Sequence, residues 1–284
     1  MSIEIIKFVI YSIVIVVISK YILVKVLRKL SENLNLKPHT IGNITGIATS
    51  VPEFLTVSIS SFKGLMGASI YNIFSSNLIN LLQYSITVIL TKNYKQLKNK
   101  GILYNIILVM ITIIIPVLLI TLKIELSIYI VPIFLLQYFA FWYISNRIHK
   151  KFLKFQDKEI ENQEEIKEEE ERKTNKKTYV YIVYLILTSV SLYLIGNELG
   201  NTLEQLAKIF KISENILGIL LGFITSMPEL ITFFESQKHY KEQKENKLLG
   251  VIEATNNLLT SNMLNLFIIQ NIGIIIFFII RYSL

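Results

Sequence analysis

One short segment occurs twice in this chain, and this repetition restricts the fold more than any other feature of the sequence. The first copy is GNITGIATSVPEFLT, from Gly42 to Thr56, and the second is GILLGFITSMPELIT, from Gly218 to Thr232. Both copies read G-x-x-x-G-x-x-T-S-x-P-E-x-x-T, at an offset of 176 residues. Each copy places a glutamate and a proline inside an otherwise apolar segment. The sequence therefore predicts an internal duplication.

A second polar pattern follows each copy at an offset of 185 residues, so the second copy has nine more residues between its two parts. Its polar side chains recur every four residues, which places them on one face of a helix. They are Asn72, Ser76 and Asn80 in the first copy, and Asn257, Ser261 and Asn265 in the second; Asn77 and Asn262, which follow the two serines, also belong to the repeated motif. Each repeat is thus predicted to present a stripe of side-chain oxygens.

The first part of each copy has the ligands of a hard cation. Thr49 and Glu53 share a helix face, and Pro52 has no N–H, which frees the carbonyl of Ala48. The second copy repeats this with Thr225, Pro228, Glu229 and the carbonyl of Ile224. Carboxylate, hydroxyl and carbonyl oxygens bind calcium and sodium. Broken helices in paired repeats are typical of a transporter's ion site at the bilayer midplane.

A simpler interpretation is that the Ser, Thr and Asn side chains only join membrane helices by hydrogen bonds. A glutamate inside a membrane is costly, however. Its occurrence twice in the same context favours an ion site over helix packing.

The composition is typical of a membrane protein. Hydrophobic residues make up 52% of the chain, and the mean hydropathy is +0.51. Long apolar segments recur throughout, so we predict an all-α protein in a lipid bilayer. The absence of cysteine excludes disulfides and thiolate metal sites. Most of the basic residues that give the chain its net charge of +8 lie in the loops between apolar segments, so the charge does not indicate a protein that binds nucleic acid. Without a nucleotide-binding loop or catalytic triad, we predict neither an enzyme nor a cofactor.

The apolar segments predict a domain organisation of two membrane repeats, with eight to ten spans altogether. Residues 1–146 form the first repeat, 147–177 a charged linker, and 178–284 a second, inverted repeat. The expected spans lie at about 5–27, 39–62, 67–91, 102–122, 126–145, 179–196, 215–234 and from about 248 onward. A short amphipathic stretch, 202–210, is expected between the sixth and seventh spans. Residues 269–284 either end one long helix or form a short ninth segment.

The basic residues predict the orientation. The loops at 25–37, 92–100, 147–177 and 238–247 hold 22 of the 29 lysines and arginines. The positive-inside rule makes these loops cytoplasmic and the N-terminus external. Because the first repeat has an odd number of spans, five, the second repeat enters the membrane from the opposite side and is inverted. Alternating access requires such an inverted pair. We expect the cell membrane as the location.

These paired segments resemble the two alpha-repeats of the calcium/cation antiporter superfamily, especially its sodium/calcium exchanger branch. The resemblance implies that ten residues bind the transported ions. They are Thr49, Ser50, Glu53, Ser76, Asn80, Thr225, Ser226, Glu229, Ser261 and Asn265. The family favours G-N-x-x-G-S-N in the second part, where this chain has Tyr71, Ser75, Asn256 and Thr260 in place of the glycines. The position of Asn265 is often Asp in sodium/calcium exchangers.

The family typically has ten spans, so the resemblance implies one or two fewer at this C-terminus, and either a partner subunit completes the protein or the protein is impaired. A homo-oligomer is the other assembly that we expect. The predicted function is a secondary antiporter that exchanges calcium for sodium or protons. The alternatives are a non-transporting or channel-like cation-binding relative, and an antiporter for another divalent cation. Glu253 extends the stripe of the second repeat, either as a helix-start charge at the cytoplasmic interface or as a carboxylate at the inner entrance.

Overall fold

A computed structural model describes residues 2–34, 36–124, 126–153, 178–242 and 246–283, and the regular structure in these ranges is helical. The predicted all-α class is confirmed. The α-helices are α1 (Ser2–Ile18), α2 (Val24–Asn33), α3 (Pro38–Thr49), α4 (Val51–Phe62), α5 (Met66–Leu90), α6 (Lys100–Thr121), α7 (Ile130–Ile148), α8 (Thr178–Phe210), α9 (Glu214–Thr225), α10 (Met227–Glu242), α11 (Lys247–Leu264) and α12 (Gln270–Ser283).

Three π-helical turns and one 3-10 turn supplement these helices. The π turns lie at Ser19–Leu23, His149–Leu153 and Asn265–Ile269, and the 3-10 turn at Tyr94–Lys98. The first π turn joins α1 to α2, and the last joins α11 to α12. Because the last junction has no break, the chain runs as one helix from α11 to the end of α12. Of the two predicted forms of the C-terminal segment, the structure has the single long helix.

Within the described ranges, five helical stretches are long and apolar enough to cross a membrane. They are Met66–Leu90, Lys100–Thr121, Tyr179–Phe210, Glu214–Tyr240 and Lys247–Tyr282. The other predicted spans fall on α1 with α2, on α3 with α4, and on α7. One boundary was wrong, because residues 202–210 continue α8 and do not form a separate stretch. Most of the predicted linker, 154–177, lies outside the described residues, so the domain division stays a prediction.

The two repeats pack into each other through their broken helices. Helix α3 packs along α11, and α9 packs along α5. A Cβ atom added to Gly46 would lie 2.7 Å from the backbone oxygen of Asn257, and one added to Gly222 would lie 2.7 Å from that of Asn72. Backbone contact at both places thus requires glycine. These glycines belong to the broken helices, which explains how the facing helices pack closely without the family's own glycines.

The remaining helices surround this centre. Helices α6 and α7 cover α11 and the π turn after it, where Phe134 and Phe141 of α7 pack against Phe267 with ring centroids 5.9 and 5.0 Å apart. Helices α1 and α8 contact each other and cover α4 and α9. Large apolar side chains are exposed on α1, α6 and α8, as suits helices that face lipid. The two broken helices, α3 with α4 and α9 with α10, therefore form the middle of the bundle together with α5 and α11.

Candidate cation site

The two glutamates lie directly after two identical helix breaks. Helices α3 and α4 meet at Ser50, and α9 and α10 meet at Ser226; both serines have φ −80° and ψ 0°. Glu53 and Glu229 are acidic residues in the first turns of α4 and α10. The unpaired N–H groups and the dipole of a helix N-terminus favour a negative charge there. Each break thus places one carboxylate at a partial positive charge in the middle of the protein.

All ten predicted site residues lie in this central region. Each is at most 2% exposed. A chain of contacts joins the two repeats: Ser50 Oγ lies 3.0 Å from Ser261 Oγ, and Ser76 Oγ lies 3.5 Å from Thr225 Oγ1. Asn80 Nδ2 also lies 3.4 Å from Ser261 Oγ. The predicted residues from two distant parts of the chain are therefore neighbours in the fold.

Glu53 faces the opposite repeat without a hydrogen bond. Its carboxylate lies near Thr225, Ser226 and Glu229. Neither Oε1 nor Oε2 accepts a hydrogen bond from any of them. A buried carboxylate without compensation is unfavourable by several kcal/mol in proteins. The surroundings of Glu53 therefore suit a bound cation.

Glu229 has a related but different environment. Its Oε1 accepts a hydrogen bond of 3.1 Å from Ser261 Oγ, and its carboxylate lies near Thr49. Its Oε2 accepts none. The contacts of the two glutamates with Thr225 and Thr49 are related by the repeat, since each glutamate faces the threonine of the other copy. The serine contact is not shared, because Ser76 instead donates to Asn72 Oδ1 at 3.3 Å.

Six buried oxygens on the predicted residues have no hydrogen-bond partner among the residues that the structure describes. They are both oxygens of Glu53, Oε2 of Glu229, Oγ of Ser226, and the Oδ1 atoms of Asn80 and Asn265. Buried acceptors are normally satisfied. Buried oxygens that lack hydrogen-bond partners, with two carboxylates among them, are suited to a hard cation such as calcium or sodium.

Two asparagines beyond the predicted set link the repeats across the centre. Asn77 Nδ2 donates to the backbone oxygen of Asn262 at 3.1 Å, and Asn262 Nδ2 donates to that of Asn77 at 3.1 Å. Asn80 Nδ2 donates to Asn262 Oδ1 at 3.1 Å, and Asn265 Nδ2 donates to Asn77 Oδ1 at 3.2 Å. In the sequence, Asn77 and Asn262 belong to the repeated motif but not to the predicted set of ion ligands. Their recurrence at the offset of 185 was the signal that pointed to them.

A second pair of bonds also repeats. Asn72 Nδ2 donates to Thr56 Oγ1 at 2.7 Å, and Asn257 Nδ2 donates to Thr232 Oγ1 at 2.7 Å. These bonds tie α4 to α5 and α10 to α11. They fix the second half of each broken helix against the helix that follows it, and so hold each glutamate in place.

Glu253 is buried and is not a surface charge at a helix start. It is 1% exposed and lies well inside α11. Its Oε1 accepts from Ser236 Oγ at 2.5 Å and its Oε2 from Tyr240 Oη at 3.1 Å, so it binds α11 to α10. It lines a small cavity with Val24, Ile41, Thr45, Thr232, Glu235 and Ser236.

The other end of the bundle has a cavity at equivalent positions. Its lining includes Thr56, Ser60, Gly200, Leu217 and Leu221, which are shifted by 176 residues from five lining residues of the first cavity. The repeat thus places one small cavity on each side of the central glutamates. Ala68 corresponds to Glu253, so the carboxylate from the stripe is present on one side and not on the other.

The family model described as "Sodium/calcium exchanger protein" matches residues 5–146 and 180–283. No curated protein sequence matches the chain.

Solved structures of the sodium-calcium exchanger NCX_Mj share the fold. The structure soaked with 10 mM Na⁺ and zero Ca²⁺ is 21% identical with a TM-score of 0.59, over 97% of this chain and 84% of that one. The structure soaked with 2.5 mM Na⁺ and 0.1 mM Ca²⁺ is 22% identical with a TM-score of 0.58, over 96% and 82%. With most of its residues matched by the family model, the chain belongs to the sodium/calcium exchanger protein family, whose members are membrane transporters and not enzymes.

Proposed function

We propose that this protein is a secondary-active antiporter that exchanges calcium for sodium or protons by alternating access. The observation that carries the proposal is the pair of buried glutamates at equivalent helix breaks, surrounded by side-chain oxygens without hydrogen-bond partners. Two carboxylates match the charge of one divalent cation or two monovalent cations. The ten residues of the predicted site are the proposed ion ligands.

The inverted repeat supports alternating access. The contacts at the centre occur in reciprocal pairs, and the two cavities occupy equivalent positions at its two ends. In a pair of inverted repeats, each repeat can adopt the packing of the other, which exchanges the open and the closed side. We propose that the two cavities mark the two access routes to the site.

The orientation follows from the basic loops. We propose that the N-terminus is outside the cell membrane and that the linker at 147–177 is cytoplasmic, because 22 of the 29 basic residues lie in the loops on that side. The loop between α10 and α11 is on the same side. The cavity beside Glu253 is then the inner one. A homo-oligomer or a partner subunit stays a prediction.

Calcium flux in proteoliposomes tests this function. Vesicles loaded with radioactive calcium are diluted into buffers that contain sodium, a proton gradient, or neither. We expect release of calcium that depends on one of the two counter-ions. Release that ignores both gradients would show a channel-like relative, and the absence of release would show a non-transporting one. Magnesium and manganese in the outer buffer test for another divalent substrate.

Replacement of Glu253 with Gln is expected to weaken the apparent calcium affinity from the inner side only. The carboxylate lines the inner cavity, where a negative charge raises the local concentration of cations. The loss of affinity should shrink at high salt, which screens such charges. Affinity is measured from each side of oriented vesicles at low and high salt.

The matched control is Glu214→Gln, since Glu214 is exposed at the other end of the bundle and bonds to the backbone N–H of Gly67. It should leave the inner affinity unchanged. An equal change on both sides in Glu253→Gln, or no change, would contradict the assigned role.

A further inference from the structure

We propose that Asn77 and Asn262 are positioning residues, each of which turns the amide oxygen of an ion ligand in the opposite repeat toward the cation. Asn77 orients Asn265, and Asn262 orients Asn80. The inference rests on the proposed function, because it assigns a role within the same cation site.

The argument begins with the two sides of an asparagine amide. One side is a donor and the other an acceptor, so a hydrogen bond to Nδ2 decides where Oδ1 lies. Asn265 Nδ2 donates to Asn77 Oδ1 at 3.2 Å, and Asn80 Nδ2 donates to Asn262 Oδ1 at 3.1 Å. The Oδ1 atoms of Asn265 and Asn80 are buried and accept no hydrogen bond. Both oxygens are thus left for a cation.

The orienting amides are themselves fixed. Asn77 Nδ2 and Asn262 Nδ2 each donate to the backbone oxygen of the other residue, both at 3.1 Å. Backbone oxygens can only accept, so neither amide can be reversed without placing two acceptors together. All four side chains are fully buried, where an unmatched polar group is costly. The orientation of the two ligand amides is therefore determined by the network and not by the ligands alone.

This network also acts on the choice of residue at position 265. Asn77 presents an acceptor to that position, which matches the N–H of an amide and opposes a carboxylate oxygen. Asn77 therefore favours a neutral ligand there as long as its Nδ2 remains on the backbone of Asn262. Outer hydrogen-bond partners of this kind typically change metal affinity 10- to 100-fold.

The first test is calcium binding to the purified full-length protein in detergent. Asn77→Leu and Asn262→Leu remove the orienting oxygens with little change in volume, and each is expected to weaken calcium binding by about 10- to 100-fold. The control is Asn105→Leu, since Asn105 is a buried amide of α6 that lies outside the network. It should bind calcium as the wild type does. Unchanged affinity in both Leu variants would overturn the proposal.

The second test asks which ligand each asparagine acts through. With Asn265→Ala already present, Asn77→Leu should weaken binding little further; with Asn80→Ala present, it should keep its full effect. Asn262→Leu should show the reverse pattern. A general structural role predicts equal losses in both backgrounds, and that result would overturn the proposal. If either Leu variant fails to fold, Asn77→Ser and Asn262→Ser replace it in the same cycles.

The two hypotheses fail in different ways. Glu53→Gln serves as the reference, because Glu53 carries the proposed site and has no bond to the network. If the wild type shows no calcium binding that Glu53→Gln removes, the proposed function fails. If it shows such binding but the crossed pattern is absent, only the positioning role fails.

Discussion

Glu53→Gln is expected to abolish cation exchange, and Glu229→Gln is expected to do the same. Each substitution keeps the size of the side chain but halves the formal charge of the site from −2 to −1. Removing one partner of a buried charge pair typically costs about 3–5 kcal/mol, which corresponds to more than about 100-fold in calcium affinity. The two effects should be similar, because the residues occupy equivalent first-turn positions.

Flux in proteoliposomes measures the loss, and thermal unfolding of the purified variants shows whether they remain folded. The substitutions should not lower the unfolding temperature, since each replaces a buried, uncompensated charge by a neutral amide. Glu214→Gln is the matched control and should retain exchange. Substantial exchange in either purified glutamate variant would remove that residue from the proposed site.

The internal repetition made the candidate site predictable from sequence. A proline and a glutamate that recur at a constant offset in apolar helices favour a broken helix with an ion site over helix packing alone. The structure accordingly breaks both helices at the serine before these residues, with the same dihedral angles at Ser50 and Ser226. Hydropathy located the five described stretches that are long and apolar enough to cross a membrane, because a membrane imposes a minimum length on each span.

Contacts between the repeats could not be predicted in the same way. Periodicity shows which face of a helix a residue occupies but not which helix covers that face. Glu253 therefore had two interpretations until the structure placed Ser236 and Tyr240 of α10 beside it. Likewise, the sequence shows that Asn77 and Asn262 recur, but only the crossing of α5 and α11 makes them partners.

Calcium exchange by the wild-type protein is expected to move no net charge. Asn80 and Asn265 are neutral, so Glu53 and Glu229 give the site a formal charge of −2 when both are ionised. A large net charge left uncompensated in a low-dielectric site is unfavourable by several kcal/mol. The occupied states should therefore be close to neutral, with one calcium ion, two sodium ions or two protons. This predicts exchange of one divalent for two monovalent cations, in contrast to the three-sodium stoichiometry associated with sodium/calcium exchangers.

The measurement is calcium exchange in proteoliposomes with an imposed membrane potential. The wild-type rate should not respond to the potential, and exchange should generate no current. Asn265→Asp adds a third acidic group and should make exchange sensitive to the potential. The amide of Asn77 must then rotate to donate to the new carboxylate, which leaves the buried backbone oxygen of Asn262 without its donor at a cost of about 1–3 kcal/mol. That cost is small enough for the variant to fold.

Asn80→Asp tests whether the added negative charge or its position at residue 265 makes exchange sensitive to the membrane potential. It adds the same charge from the first repeat, and Asn262 can rotate for it as Asn77 does for Asn265→Asp, because the two amide pairs are reciprocal. If the net charge of the site sets the stoichiometry, both variants should carry current. A current in Asn265→Asp alone would assign the effect to that ligand position. A calcium-dependent current in the wild type would refute electroneutral exchange. It would mean that the calcium and the counter-ions moved in one cycle differ in total charge, so that at least one of these occupied states does not match the charge of the two carboxylates.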